Sequence, residues 1–224
     1  MFLMSNAGPV ADTRVDSDIA PFDFEHLYRS AAGDASVIPW SDGHPNPAMV
    51  TWFDVIGPGL LRCGCRVAVV GCGLGEDARE LVRRGYDVTA FDSSQTAVDW
   101  ARRLDPANAQ SYQVADLLEL PAALTHRFDL VVEIYTLQSM PPSWRQEMMN
   151  GLSSLLNSRG HLLVICREEL PDEPCSDEPP WPVSSQDLVS LASGSGLTMD
   201  GSLDSFDDDQ DPPVRRLRGL FRNA

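Results

Sequence analysis

Short apolar runs alternate with amphipathic stretches through most of this chain. Residues 66–70, 87–91, 111–114, 129–133 and 161–166 read as five strands, each too short for a helix. Between them lie helical stretches. Residues 77–84 are closed by Gly85 at a C-cap position, and 95–103 follow the N-cap candidates Ser93 and Ser94. Residues 144–156 begin after Pro142 and Ser143. Ahead of the first strand, 22–30 is amphipathic enough for a short helix, and 48–61 reads as a second that ends in the turn Gly57-Pro58-Gly59. After the fifth strand, 167–183 is too proline-rich for regular structure and carries six acids against one base, Arg167. A helix over 184–193 follows. Then 197–206 and 213–222 read as an antiparallel pair around the acidic turn DDDQDPP.

Strands alternating with helices over short connections predict an α/β fold, with a mainly parallel sheet and helices on both faces. The 224 residues suffice for one domain. The Pro-, Ser- and Asp-containing start reads as a disordered arm over 1–20, with a single domain over 21–224. No apolar run approaches a membrane span and no basic leader opens the chain, so the cytoplasm is the default location.

Charge narrows the function. The net charge is −16, with a pI near 4.4. Such a surface repels nucleic acid, which needs basic patches to displace its counterions. All 17 basic residues are arginine. Without lysine there is no Schiff base and no P-loop of the usual kind. The five cysteines lack paired zinc-ligand spacing and read as reduced thiols, so no metal is expected.

The chemistry concentrates after the first strand. Gly71, Gly73 and Gly75 form G-x-G-x-G, and Glu76 stands where a dinucleotide turn has its third glycine. Glu76 and Asp77 would repel a pyrophosphate and suit a cationic ligand; equally, they are ordinary first-turn acids of a helix. Asp92 ends the second strand, near the roughly 20-residue separation at which an acid meets ribose hydroxyls.

At these residues the chain resembles the class I S-adenosylmethionine (SAM)-dependent methyltransferases. The likeness continues through YQVADLLELP at 112–121, RFDLVVEIYTLQSMPP at 127–142 and GHLLVICR at 160–167. It implies a Rossmann-like, doubly wound, mainly parallel seven-stranded sheet with a C-terminal antiparallel hairpin. It also implies SAM as cofactor and S-adenosylhomocysteine as product. The implied cofactor-binding residues are Gly71, Cys72, Gly73 and Gly75, through backbone, with Asp77, Asp92 and Ser93 beside them. Asp116, Leu117 and Leu118 would flank adenine, and Glu133 and Ile134 the methyl donor. Many members carry an acid two positions before the first glycine, where this chain has Val69. The ammonium must then find main-chain carbonyls near Gly71 and Glu133.

Tyr135 and Gln138 follow the fourth strand and are the candidates for catalysis; a packed Tyr135 is an equal alternative. Residues 36–52 loosely resemble the N-terminal segment of the thiopurine and tellurite-resistance methyltransferases, which makes 21–61 a lid and Trp40 and His44 lid residues. Arg167 and Trp181 border the substrate side. No Ser/His/Asp set is legible, which favours an easily ionised acceptor, a thiol or an amine, over an alcohol. The predicted function is methyl transfer from SAM to a small molecule, with neither nucleic acid nor membrane as partner. A non-catalytic SAM-binding regulator is the alternative, and an NAD-dependent oxidoreductase a further one that Glu76 argues against.

Overall fold

A computed structural model describes residues 22–171 and 178–223. The arm expected over 1–20 and Cys175 lie outside them. In chain order the elements are α1 (Phe24–Ser30), α2 (Pro47–Val55), α3 (Gly57–Leu60), β1 (Arg66–Val70), α4 (Glu76–Arg83), β2 (Asp87–Asp92) and α5 (Gln95–Leu104). There follow β3 (Tyr112–Val114), β4 (Phe128–Ile134), α6 (Arg145–Leu155), β5 (Leu156–Arg167), α7 (Ser185–Gly194), β6 (Leu197–Met199), β7 (Asp204–Asp207) and β8 (Arg215–Asn223).

The sheet runs β3-β2-β1-β4-β5-β8-β6, and β7 also pairs with β8. Strands β1 to β5 are parallel, and β8 enters antiparallel to β5. Strands β6 and β7 share the outer edge of β8, so the sheet has seven positions, as the family resemblance implies. The single strand expected over 197–206 is broken. Met199 pairs with Phe221 and Asp204 with Arg218, so two residues loop out around Gly201, whose φ is +94°. A left-handed residue cannot continue a strand.

Strand β5 starts earlier than the 161–166 expected. Leu156 pairs with Phe128, and the register then shifts before Leu130 meets His161. Gly160 lies in that irregular stretch, where a Cβ would stand 2.6 Å from the Phe128 carbonyl oxygen. Only glycine lets the two backbones come so close.

Alternate residues of the central strands serve opposite faces, which is why each reads as a continuous apolar run. Ala68, Val70, Val131 and Val164 pack against Met149 and Leu152 of α6 and Leu188 of α7. Val67, Val69, Val132 and Ile165 pack against Phe53 of α2, Leu81 of α4 and Val98 of α5. A smaller cluster of Tyr28, Ile38, Leu74 and Trp100 ties α1 to the main body. None of the helices among the described residues is long and apolar enough to cross a membrane.

Candidate active site

From β1 the chain winds outward to β2 and β3, then returns to place β4 on the other side of β1. At such a switch point the loops diverge and leave a crevice beyond the strand ends. The turn after β1 forms one wall. Gly73 and Gly75 have φ of +51° and +82°, a region that side chains rarely adopt. Gly75 also caps α4, and a Cβ there would meet the Tyr112 ring at 2.7 Å.

Asp92 faces this turn from the end of β2. Its Oδ2 accepts the Gly73 amide at 3.0 Å and its Oδ1 the Ser94 amide at 2.9 Å. Burial pushes the carboxyl above its usual range, and the amides work against that shift. Across the crevice, the end of β4 is held by Glu133. Its Oε1 accepts from Thr136 N at 2.6 Å and Leu137 N at 2.9 Å. Its Oε2 is buried without a hydrogen-bond partner. Burial raises this carboxyl to about 7, with the two amides pulling the other way. Thr136 closes the gap to β1, its Oγ1 donating to Val70 O at 3.3 Å.

Tyr135 has φ +65°, unusual for a bulky residue and a mark of a site whose surroundings dictate geometry. The Arg216 guanidinium lies over its ring, 4.5 Å from the centroid, and the Asn46 side chain lies toward its hydroxyl. Burial raises the phenol and Arg216 opposes the rise.

The segment ahead of β1 packs against the glycine turn and the first turn of α4. Trp40 Nε1 donates to Tyr28 Oη at 2.8 Å. A Cβ on Gly73 would fall 2.9 Å from that hydroxyl and 3.6 Å from the indole nitrogen. Glu25 fastens α1 to the start of α5, accepting from Ser94 Oγ, Thr96 N and Thr96 Oγ1 at 2.7, 3.1 and 2.6 Å. Ser41 Oγ donates to Glu76 at 2.7 Å, and Asn46 N to Asp77 at 2.7 Å. Asp77 keeps some surface yet is desolvated enough at its carboxyl to titrate near 6.

The predicted residues Gly71, Cys72, Gly73, Gly75, Asp77, Asp92, Glu133, Ile134 and Tyr135 therefore gather at the ends of β1, β2 and β4 or in the first turn of α4. Cys72 is buried, and burial pushes its thiol far up. Ser93 is exposed beside Asp92. Asp116 is exposed too, one residue past the Ala115 N to Asp92 O bond, and accepts from Leu118 N at 2.9 Å; Leu117 belongs to the core.

Others sit differently from expectation. Gln138 is 6% exposed and structural in its bonds: its side-chain oxygen accepts the Arg167 amide at 2.5 Å, and its carbonyl accepts the Trp181 amide at 2.7 Å. Trp181 is 5% exposed, and its carbonyl accepts from Arg145 at 2.6 Å. His44 is exposed, with Nδ1 3.1 Å from Pro45 O. Sequence reasoning missed Glu25, Tyr28, Asn46, Thr136 and Arg216. Only the amphipathic pattern of 22–30 hinted that α1 would dock.

Residues 67–160 match the model of a methyltransferase domain family. The chain is 43% identical over 77 residues to magnesium-protoporphyrin O-methyltransferase of Rhodobacter capsulatus, covering 33% of each. The chain thus spans a third of that relative's length. It also resembles a structure described under conversion of a disulfide bond into a thioacetal group during echinomycin biosynthesis, with 25% identity, TM-score 0.64 and coverage of 83% and 85%. Magnesium protoporphyrin IX methyltransferase of Synechocystis PCC 6803 with bound S-adenosylhomocysteine shares the fold, with 18% identity, TM-score 0.66 and coverage of 89% and 98%.

Proposed function

Because residues 67–160 match a methyltransferase domain family and the fold is shared with a methyltransferase that binds S-adenosylhomocysteine, we propose that this chain is a class I SAM-dependent methyltransferase that transfers the methyl group of SAM to a small molecule, with a thiol or amine as the favoured acceptor. The observation that carries this reading is the junction of Gly73 with Asp92. A strand-end carboxylate that accepts the turn's own amide leaves that amide unavailable to a phosphate and sets an acid where ribose hydroxyls would donate. Glu76 and Asp77 add negative charge at the start of α4, against a diphosphate and in favour of a cation.

The residues present fit SAM. The glycine turn suits a close ligand, since its left-handed glycines put no side chain between backbone and ligand. Asp92 and Ser93 would hold the ribose, Asp116 to Leu118 the adenine, and the backbone of Gly71 to Gly75 the methionine part. When bound, SAM supplies an activated methyl: the acceptor's lone pair bonds to its carbon, the carbon–sulfur pair leaves with sulfur, and the acceptor's proton goes to solvent. What remains for the protein is alignment and exclusion of water. Tyr135 borders the acceptor with its hydroxyl, and Trp40, Tyr28 and His44 cover the crevice.

The thiol or amine preference rests on chemistry, since these nucleophiles need no dedicated base. The likeness to the echinomycin structure supports sulfur chemistry in this fold. We place the enzyme in the cytoplasm, without nucleic acid as substrate. A second reading, a SAM-binding regulator without catalysis, draws on the contact of Tyr28 and Trp40 with the glycine turn.

Titration with SAM, S-adenosylhomocysteine and NAD(H), followed by labelled SAM against thiols, amines and phenols, tests all of this. Binding of SAM with transfer to a thiol or amine is expected. NAD(H) binding without SAM binding would end the proposal, and SAM binding without transfer to any acceptor would favour the regulator.

A further inference from the structure

Tyr135 is gripped from two sides by parts of the chain far apart in sequence. Arg216, in β8, lays its guanidinium over the ring at 4.5 Å. It is only 6% exposed, and its Nε and Nη2 both donate to Asp208 Oδ2, at 2.8 and 2.7 Å. Asp208 is fixed in turn, its Oδ1 accepting from Gln210 N at 3.2 Å and Val214 N at 2.8 Å. On the other side, Asn46 lies toward the Tyr135 hydroxyl while its Oδ1 accepts from Ala48 N and Met49 N at 3.0 and 3.1 Å, capping α2. The charged groups facing Tyr135 are thus Arg216 from β8, Asp208 from the β7–β8 turn and Asp77 from α4.

Only a planar, permanently charged fork can bind a carboxylate along its edge and stack on an aromatic ring with its face. A left-handed tyrosine also needs surroundings that fix it. The geometry points to Arg216 as a positioning residue for methyl transfer: stacked on Tyr135 and locked by Asp208, it sets the direction in which the tyrosine hydroxyl meets the acceptor. This rests on the methyl-transfer reading and deepens it. With one ring face covered by Arg216, Tyr135 can offer an acceptor its hydroxyl edge. That suits a small acceptor presenting one polar atom better than an aromatic one that stacks.

The test uses full-length protein labelled with 3-fluorotyrosine, whose four tyrosines give separable fluorine signals, with Tyr135→Phe assigning the relevant one. In Arg216→Gln and Arg216→Lys the Tyr135 signal should move while those of Tyr28, Tyr86 and Tyr112 stay. Turnover should fall about tenfold in both, with KM for SAM within about twofold, because alignment rather than cofactor binding is lost. Should Arg216→Gln not fold, Asp208→Asn frees the same guanidinium and should give the same pair of changes. An unmoved Tyr135 signal in a folded variant, or full turnover in Arg216→Lys, overturns the assignment. A moved signal in a protein whose wild type methylates no acceptor defeats the methyl-transfer reading instead, while the stacking stands.

Discussion

Trp40 donates its indole hydrogen to the Tyr28 hydroxyl at 2.8 Å, directly above Gly73. A residue from a loop and another from α1 thus meet over the turn proposed to receive the cofactor. Trp40→Phe removes the donor and strands a buried hydroxyl. We expect α1 and the 36–41 segment to open more readily, by about 1 kcal/mol, read as faster hydrogen exchange at residues 24–31. Gly73→Ala should do more harm, since it combines a left-handed φ with a contact at 2.9 Å. SAM binding by calorimetry should be lost in a protein that still unfolds cooperatively. Unimpaired binding would mean that the ligand does not approach this turn.

Asp92→Asn tests the strand-end acid. Asparagine can accept from only one of the two amides as the carboxylate does, and it presents a donor where ribose hydroxyls would donate. A charge-assisted set of this kind is worth about 1.5–3 kcal/mol, so the dissociation constant for SAM should rise more than tenfold. An unchanged constant removes Asp92 from the site.

Glu133 makes stability depend on pH. Its folded carboxyl titrates near 7, above the value of 4.5 for an unburied group. Between these values the folded state holds the extra proton, so stability falls as pH rises from about 5 to 7. Glu133→Gln removes this titration and should flatten the slope by an amount on the order of 2–3 kcal/mol across that range. Urea unfolding at pH 5 and pH 8 provides the check, and equal slopes in both proteins would refute the assignment. The buried Oε2 without a partner is the physical reason for the penalty.

Gly151 is a stability determinant of another kind. It lies within α6, where alanine would normally be preferred by about 1 kcal/mol. Here a Cβ would stand 2.5 Å from the Leu117 carbonyl oxygen. Gly151→Ala should therefore destabilise by about 1–3 kcal/mol and displace the Asp116–Leu118 segment. Stabilisation on chemical unfolding would show that the helix can shift without cost.

Much of the fold was legible because each central strand is buried on both faces and must read as an unbroken apolar run. Residues 67–70 and 130–132 are such runs, and Gly85 and Ser94 marked helix ends by their own conformational preferences. The break between β6 and β7 had a local signal, the turn-forming pair Asp200-Gly201, which the strand expected over 197–206 passed over. Pairing with β8 ejects two of the residues between the strands. Gln138 and Trp181 looked like site residues by position after β4 and β5; tertiary hydrogen bonds make them braces.

The sequence by itself determined the strand–turn–helix order, the glycine turn and the acid at Asp92, since these depend on local geometry and spacing. It determined, too, an acidic surface without a single lysine. The tertiary structure alone decided that Glu25 would cap α5, that Tyr28 would lie over Gly73 and that Arg216 would cover Tyr135. These contacts join residues separated by tens of positions or more, and no local preference encodes which side chains the sheet order brings to one edge.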